Sequence, residues 1–434
     1  MLCAWIGLAA APSWAQGQTT RPDLSPEDRR EALFEALQAA PTDVDLLLAY
    51  AEASMALDDP EGAIIALERL LILSPDQPEV KLTLGRLYER LGAYDTARAF
   101  FSDAAEDETF RTEANQEIAR IDARTAVHRV AGAVTLGVRA QTNATFAPSG
   151  RSVTIGGIQI DLDPDQREQA DVNAFALGQI VYQYDLQNQG DSIEATLDLY
   201  GAVFASERDL DSQYVNATLG PRFHLTRRGL PGASLRPFVS ATHVRLDRQT
   251  YLRAAGAGVT LDVPATALGS LRAELAAQRR AFSATTASPA NPERDGWRLS
   301  ARLGTRVPLS PRTGLDLEAT FDRATADAAY EESLSAGASA ALVFQLPVRL
   351  SDDAGEWQLA VGAGYRREVF EAPNPAISTR RRADDEITAR AGLVVPVSQT
   401  LSLLVQADYQ DRRSTYDVEE FDNLAGMVAI TWRF

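Results

Sequence analysis

The pattern of apolar and polar positions changes period once along the chain. From residue 25 to residue 126 the apolar residues recur every three to four positions, which puts them on one face of a helix. From Val127 onward they alternate with polar residues, the period of a half-buried strand. At the C-terminus Val428, Ile430, Trp432 and Phe434 share one face, and Ala429, Thr431 and Arg433 share the other. Trp297, Leu299, Ala301, Leu303 and Val307 likewise oppose Arg298, Ser300, Arg302 and Arg306. Leu315, Leu317, Ala319 and Phe321 oppose Asp316, Glu318, Thr320 and Asp322. The alternation predicts fourteen strands, near 129–142, 170–185, 191–205, 213–225, 234–247, 250–263, 270–282, 296–308, 314–325, 332–346, 356–370, 384–397, 400–413 and 421–434.

A soluble sandwich would show the same alternation. Three features favour a barrel in a membrane. The polar face is rich in Gly, Ser, Thr and opposite charges, which suits a wet interior. Aromatics gather at strand ends (Tyr182, Tyr184, Trp297, Trp357, Tyr365, Tyr409 and Trp432), as in interfacial girdles. Connections alternate between short turns (187–190, 310–313, 398–399) and longer polar loops (143–169, 283–295, 371–383), with a short exception near Arg248-Gln249. No run of 18 apolar residues occurs, so no transmembrane helix is expected. Only a closed barrel then satisfies the backbone in lipid. The terminal strand, with Gly426, Trp432 and Phe434, resembles the barrel-assembly signal of outer-membrane proteins. The even strand number puts both barrel ends on the short-turn side, so the segment before strand 1 is expected in the periplasm.

The helical part repeats at 34 residues: Pro41 recurs as Pro75, Ala63 as Ala97, Leu67 as Phe101 and Leu70 as Ala104. Leu84-Gly85-x-x-Tyr88 followed by Ala97-x-x-x-Phe101 resembles the tetratricopeptide pattern, although Lys81 stands where that pattern has Trp. Small Gly85 and Ala97 let two helices approach, and Tyr88 and Phe101 fill the gap between repeats. Two full repeats and two flanking helices are expected, the first opening on Ser25-Pro26 as cap and first helical position. The resemblance implies a concave peptide-binding groove on the first helices: Asp45, Leu48, Glu52 and Met55, then Glu79, Leu82, Arg86 and Glu89. The alternative is a stack that only spaces or docks. The fold class is thus α + β multidomain, a short tetratricopeptide solenoid followed by a 14-stranded antiparallel transmembrane β-barrel. The expected domains are 1–15 signal peptide, 16–24 linker, 25–126 repeat domain and 127–434 barrel.

Charge and composition narrow the partners. A formal net charge of -18 argues against nucleic acid. Residues 1–15 read as a signal peptide, with an apolar run and a small-x-small end at Ser13-Trp14-Ala15. Cleavage there would remove Cys3, the one cysteine, and with it disulfide and thiolate chemistry. His128, His224 and His243 lack metal-ligand spacing; His224 and His243 are expected to face the lumen. Lumen-lining candidates are Arg298, Arg302, Arg306, Asp316, Glu318 and Arg390. They read either as a charged wall that guides a translocating chain or solute, or as a cross-strand ladder that stiffens the barrel. Arg380-Arg381-Arg382 reads as a solvated or lipopolysaccharide-contacting run in an outer loop.

Signal peptide, tetratricopeptide segment and C-terminal fourteen-stranded barrel together resemble the Slam family, the surface lipoprotein assembly modifiers. The resemblance implies a monomeric translocator in the outer membrane of a Gram-negative bacterium, with its N-terminal domain in the periplasm. It implies a client surface lipoprotein or secreted binding protein, and partners in the barrel-assembly machinery, periplasmic chaperones and outer membrane lipids. It implies no cofactor, metal or catalytic residue, hence no enzyme. The alternatives are a porin or polysaccharide-export channel with a periplasmic scaffold domain, and an outer-membrane enzyme.

Overall fold

In the computed structural model the described residues are 25–434 without 189, 267–268 and 287. The expected signal peptide and linker lie outside them. The chain divides into two compact units, up to Ala126 and from Val127 onward.

The first unit holds six helices among the described residues: α1 (Pro26–Ala39), α2 (Val44–Ala56), α3 (Pro60–Leu73), α4 (Pro78–Arg90), α5 (Tyr94–Ala104) and α6 (Arg111–Thr125). Their starts are written in the sequence. Ser25, Asp43 and Asp59 each cap a helix by accepting a backbone N–H, and Pro26, Pro60 and Pro78 occupy first-turn positions where no N–H is needed. Leu47, Ala51, Ala63, Leu67, Leu70 and Leu84 form one buried cluster. Leu82, Ala97, Phe101, Ala104, Ala114 and Ile121 form a second. Gly85 is required where α4 meets α5, because a Cβ there would lie 2.5 Å from the Phe101 ring.

The second unit is a closed antiparallel barrel of fourteen strands, β1 and β4–β16. They are β1 (His128–Gln141), β4 (Asp171–Asn188), β5 (Asp191–Phe204), β6 (Ser212–His224), β7 (Ser234–Leu246), β8 (Gln249–Thr266) and β9 (Gly269–Phe282). The rest are β10 (Gly296–Ser310), β11 (Thr313–Ala324), β12 (Ser333–Leu346), β13 (Trp357–Phe370), β14 (Ala383–Pro396), β15 (Leu401–Ser414) and β16 (Phe421–Arg433). β1 closes on β16 from Ala133 opposite Arg433 to Gln141 opposite Ala425. Phe434 adds two backbone bonds to Gly132, at 3.0 and 3.1 Å. This leaves no free edge along the paired stretch.

Register decides the faces. Leu136 pairs with Ile430 and Val138 with Val428, and all four are exposed on the outside. Thr135 pairs with Thr431 on the inside, their hydroxyls 2.8 Å apart. Trp297, Leu299, Leu303, Val405 and Tyr409 also face outward. A closed barrel that is apolar outside and polar inside is the architecture of outer-membrane proteins.

The strand positions follow the alternation to within a few residues, with one addition. β2 (Ser152–Ile155) and β3 (Ile158–Asp161) form a hairpin inside the loop after β1. Gly156 and Gly157 turn it with φ of 61° and 82°, which suits the primed turn of a two-residue hairpin. Four-residue strands are too short to show a period. The connections at 225–233 and 347–356 are longer than the other turns on their side, as the strand bounds read from the sequence leave them. The turn after β7 is short, as read, with Asp247 and Arg248 both at positive φ.

Two outcomes test this architecture. The full chain shifts its gel mobility in SDS only after boiling, because the closed ladder resists the detergent cold; a single unboiled band at the boiled position would refute the barrel. Gly85→Leu overpacks against Phe101 and lowers the helical melting transition, by about 1–3 kcal/mol, while the boiling-dependent shift persists.

Candidate functional site

The barrel interior carries most of the candidate chemistry. Its short-turn half holds a five-residue ion network on consecutive strands. Glu194 of β5 accepts from Arg222 Nε of β6 at 2.9 Å, and Arg222 also reaches Asp262 of β8 at 2.9 Å. Asp262 accepts from Arg272 Nε of β9 at 2.6 Å. Arg236 of β7 lies with Nε 3.0 Å from Glu194, and its Nη2 donates to Thr218 Oγ1 at 2.7 Å. The Glu194 and Arg236 side chains are about nine-tenths buried. Three arginines share two carboxylates in this network, so this part of the interior carries alternating charge with one positive charge in excess.

Farther round the barrel, Arg306 pairs in register with Asp316, Nε to Oδ1 at 2.6 Å. Arg390 bonds Asp408 at 2.6 Å. Arg302 hangs between Glu274 at 4.0 Å and Glu318 at 3.8 Å, too far for a hydrogen bond to either. Arg272, Arg306, Asp316, Glu318, Arg390 and Asp408 line a cavity of about 950 Å³. The space exists because Ser339, Ala341, Gly362 and Gly364 on β12 and β13 are small. On the other side the interior is filled instead: the Phe175 ring of β4 covers Gly137 and Ala429 and is itself buried.

Arg298 belongs to the loop-end half, bonded to Asp322 at 2.8 Å. There Arg412 bonds Glu386 at 2.7 Å. Arg382 corrects an expectation. It is not solvated but mostly buried, paired with Asp384 and Glu419 at 2.7 Å each and lying over the Phe370 ring. Burial pushes the Glu419 carboxyl up, against the pull of Arg382. Burial also pushes up Glu331, in the connection before β12, against Arg294. The loops interlock at this rim: Tyr416 Oη donates to the Arg380 carbonyl at 2.7 Å, and Gly156 N donates to the Ile377 carbonyl at 2.8 Å. His243 corrects a second expectation. It lies on the outward phase of β7 with Val239, whereas His224 is on the inward phase opposite buried Ser234.

On the helical unit, Asp45, Leu48, Glu52 and Met55 lie along α2, where Leu48 and Glu52 are exposed. On α4 the residues diverge. Glu79 is exposed, but Leu82 is 3% exposed and sits in the second apolar cluster, so it supports the wall instead of lining an open groove. Arg86 pairs with Glu113 and reaches Glu117 at 3.5 Å; Glu89 meets Arg120 at 3.6 Å and Arg124 at 3.4 Å. The closing helix α6 therefore engages both α4 charges. Tyr88 donates to Glu68 Oε1 at 2.5 Å, and this bond, with burial and the carboxylate charge, pushes its phenol up to about 12.

Gly426 faces outward with nothing near the position of a Cβ, and the Trp432 and Phe434 rings stand 4.8 Å apart at the end of β16. Among the described residues no three His, Cys, Asp or Glu side chains gather to hold a metal ion. The Glu194 network escaped the sequence reading. Its signal is an inward charge on each of five consecutive strands, visible only once the register is known.

Fold and interior define a class: a closed fourteen-stranded barrel of outer-membrane type, joined to tetratricopeptide-like helices. The tetratricopeptide repeat family matches residues 55–121. No curated protein matches the chain. Among solved structures the chain is similar to MamA, at 23% identity over 22% of this chain and 57% of that one, TM-score 0.21. It thus spans little more than half the length of MamA. It is similar to a bacterial polysaccharide outer membrane secretin, at 12% identity over 70% of this chain and 98% of that one, TM-score 0.36. It is also similar to the translocator domain of the autotransporter NalP from Neisseria meningitidis, at 12% identity over 77% and 98%, TM-score 0.30.

Burial ranks the charges. Glu194→Ala leaves the buried Arg236 without a carboxylate, while Arg222 keeps Asp262, and destabilises the refolded barrel by about 3–5 kcal/mol in urea. Arg306→Ala breaks a more exposed pair and costs roughly 0–1 kcal/mol. Equal losses would refute the ranking. In a spectrophotometric titration two tyrosines, Tyr88 and Tyr330, ionise near pH 12, and Glu68→Gln returns only Tyr88 toward the ordinary range. The sign follows from the raised value: the bond contributes fully below pH 10, where unfolded Tyr88 is also protonated, and is lost as the pH rises to 12.

Proposed function

We propose that the protein is an outer-membrane translocator that helps specific lipoproteins, or soluble binding proteins, reach the cell surface. The observation that carries this reading is the presence, in one chain, of a tetratricopeptide unit and a closed barrel with a cavity of about 950 Å³ lined by both signs of charge. Alternating Arg and carboxylate groups give a moving polar segment replacement partners at each step without trapping it on one sign of charge. The barrel starts and ends on its short-turn side, which supports a periplasmic helical unit where a client would be met first. On that unit Leu48 and Glu52 remain available for an extended client segment, while α6 occupies Arg86 and Glu89. The proposal assigns no catalytic residue and no cofactor.

The same cavity favours a second reading, a porin or polysaccharide-export channel whose helical unit is a scaffold. Two measurements separate them. Deleting the gene is expected to remove one or a few proteins from the cell surface while their total amount persists; identical surface proteomes would end the translocator reading. In planar bilayers a translocator stays mostly closed, whereas a channel shows a steady ion-permeable state.

A further inference from the structure

The outward-facing side chains differ between the two ends of the barrel. Six strand arginines lie on the outward phase: Arg245, Arg253, Arg279, Arg323, Arg367 and Arg413. All six fall toward the loop end. The short-turn end presents Tyr182, Tyr184, Trp357, Trp432 and Phe434, and no outward arginine among the described strand residues. The loop end has its own aromatics, Trp297, Phe321, Tyr365 and Tyr409, all exposed. Arg279 is the register partner of Trp297. Arg323 and Arg367 each stand two residues beyond an outward aromatic, Phe321 and Tyr365. The arginines therefore sit at, or just above, the level where aromatic girdles meet lipid headgroups.

These six are not equivalent. Arg323 pairs with Glu371 and with Glu332 at 3.6 Å, Arg367 with Asp385 at 3.0 Å, and Arg413 with Asp411 at 3.2 Å. Arg245, Arg253 and Arg279, on the consecutive strands β7, β8 and β9, make no ion pair among the described residues. Arg245 donates only to the carbonyl of Arg248. Arg253 stands opposite His243 and Ala281, and Arg279 opposite Ala255 and Trp297. Arg253 and Arg279 are diagonal neighbours across one seam, close enough to repel. The outward phase of β6 to β10 offers no carboxylate to relieve them.

Uncompensated charge on the lipid face is unfavourable unless the headgroups supply the counter-charge. A phosphate does so well, since guanidinium forks match its oxygens. We propose that Arg245, Arg253 and Arg279, flanked by Trp297, form a binding surface for the phosphate groups of an anionic glycolipid in the surrounding leaflet. This rests on the outer-membrane reading of the barrel but not on any client. The neutralised arginines of β11, β13 and β15 leave the rest of the rim without this preference.

The test uses the full chain folded in a non-ionic detergent, with bisphosphorylated lipid A and its dephosphorylated form as probes, and retained lipid read by native mass spectrometry. The wild-type chain is expected to retain the phosphorylated probe and not the other. The triple variant R245Q/R253Q/R279Q loses affinity on the order of tenfold to a hundredfold, and R279Q alone loses part of it. The control R323Q/R367Q/R413Q keeps it. Equal retention of both probes, unchanged binding in the triple variant, or equal loss in the control would each overturn the proposal. The boiling-dependent gel shift is read on every variant. A wild-type chain without the shift removes the membrane reading itself, an outcome separate from loss of the phosphate preference.

Discussion

The barrel depends on one seam. In lipid every backbone N–H and C=O needs a partner within the protein. Thirteen antiparallel pairings between successive strands cannot meet that need until β1 finds β16. Closure runs from Gly132, bonded to Phe434, to Gln141 opposite Ala425. Once it is made, the period of two acquires a fixed meaning. Val138, Val428, Leu136 and Ile430 must be lipid-facing, and Thr135 and Thr431 must be inside. A slip of one residue would exchange these sets around the whole wall.

The interior follows from the same closure. Side chains that alternate inward meet others across a confined polar space, and burial there penalises an unmatched charge. The Glu194–Arg222–Asp262–Arg272 chain meets this constraint by spreading partners over successive strands. Where β12 and β13 place small residues inward, the interior stays open; where β4 places Phe175, it is filled. The loop rim is tied in a different way, by the buried Arg382 between Asp384 and Glu419 and by the Tyr416 hydroxyl. One end is thus a set of turns beneath an ion-lined cavity, and the other a set of interlocked loops. A chain or solute crossing the barrel would meet these two environments in succession.

Much of the fold is legible in the sequence because its determinants are local. Ser25-Pro26, Asp43 and Asp59-Pro60 mark helix starts, and the 34-residue spacing of Ala63 with Ala97 marks a repeat. In the strands, Trp297 to Val307 shows its two faces without reference to any neighbour. The β2–β3 hairpin was not legible, because four residues show less than a usable period. Leu82 misled for a related reason: its helical position resembles a groove residue, but α6 and Phe101 close over it.

By itself the sequence determined the change of period, the helices, the barrel strands and the sidedness of the clearly alternating ones, since these arise from contacts a few residues apart. Tertiary structure alone decided which charge meets which. Arg306 finds Asp316 ten residues away, but Arg222 finds Asp262 forty residues away, through a register that only closure sets. It also decided that His243 faces outward and that Arg382 is buried. Three outward arginines were left without a carboxylate partner for the same reason. Their lack of a carboxylate is a property of neighbouring strands, and neighbours exist only after the sheet has curled and joined.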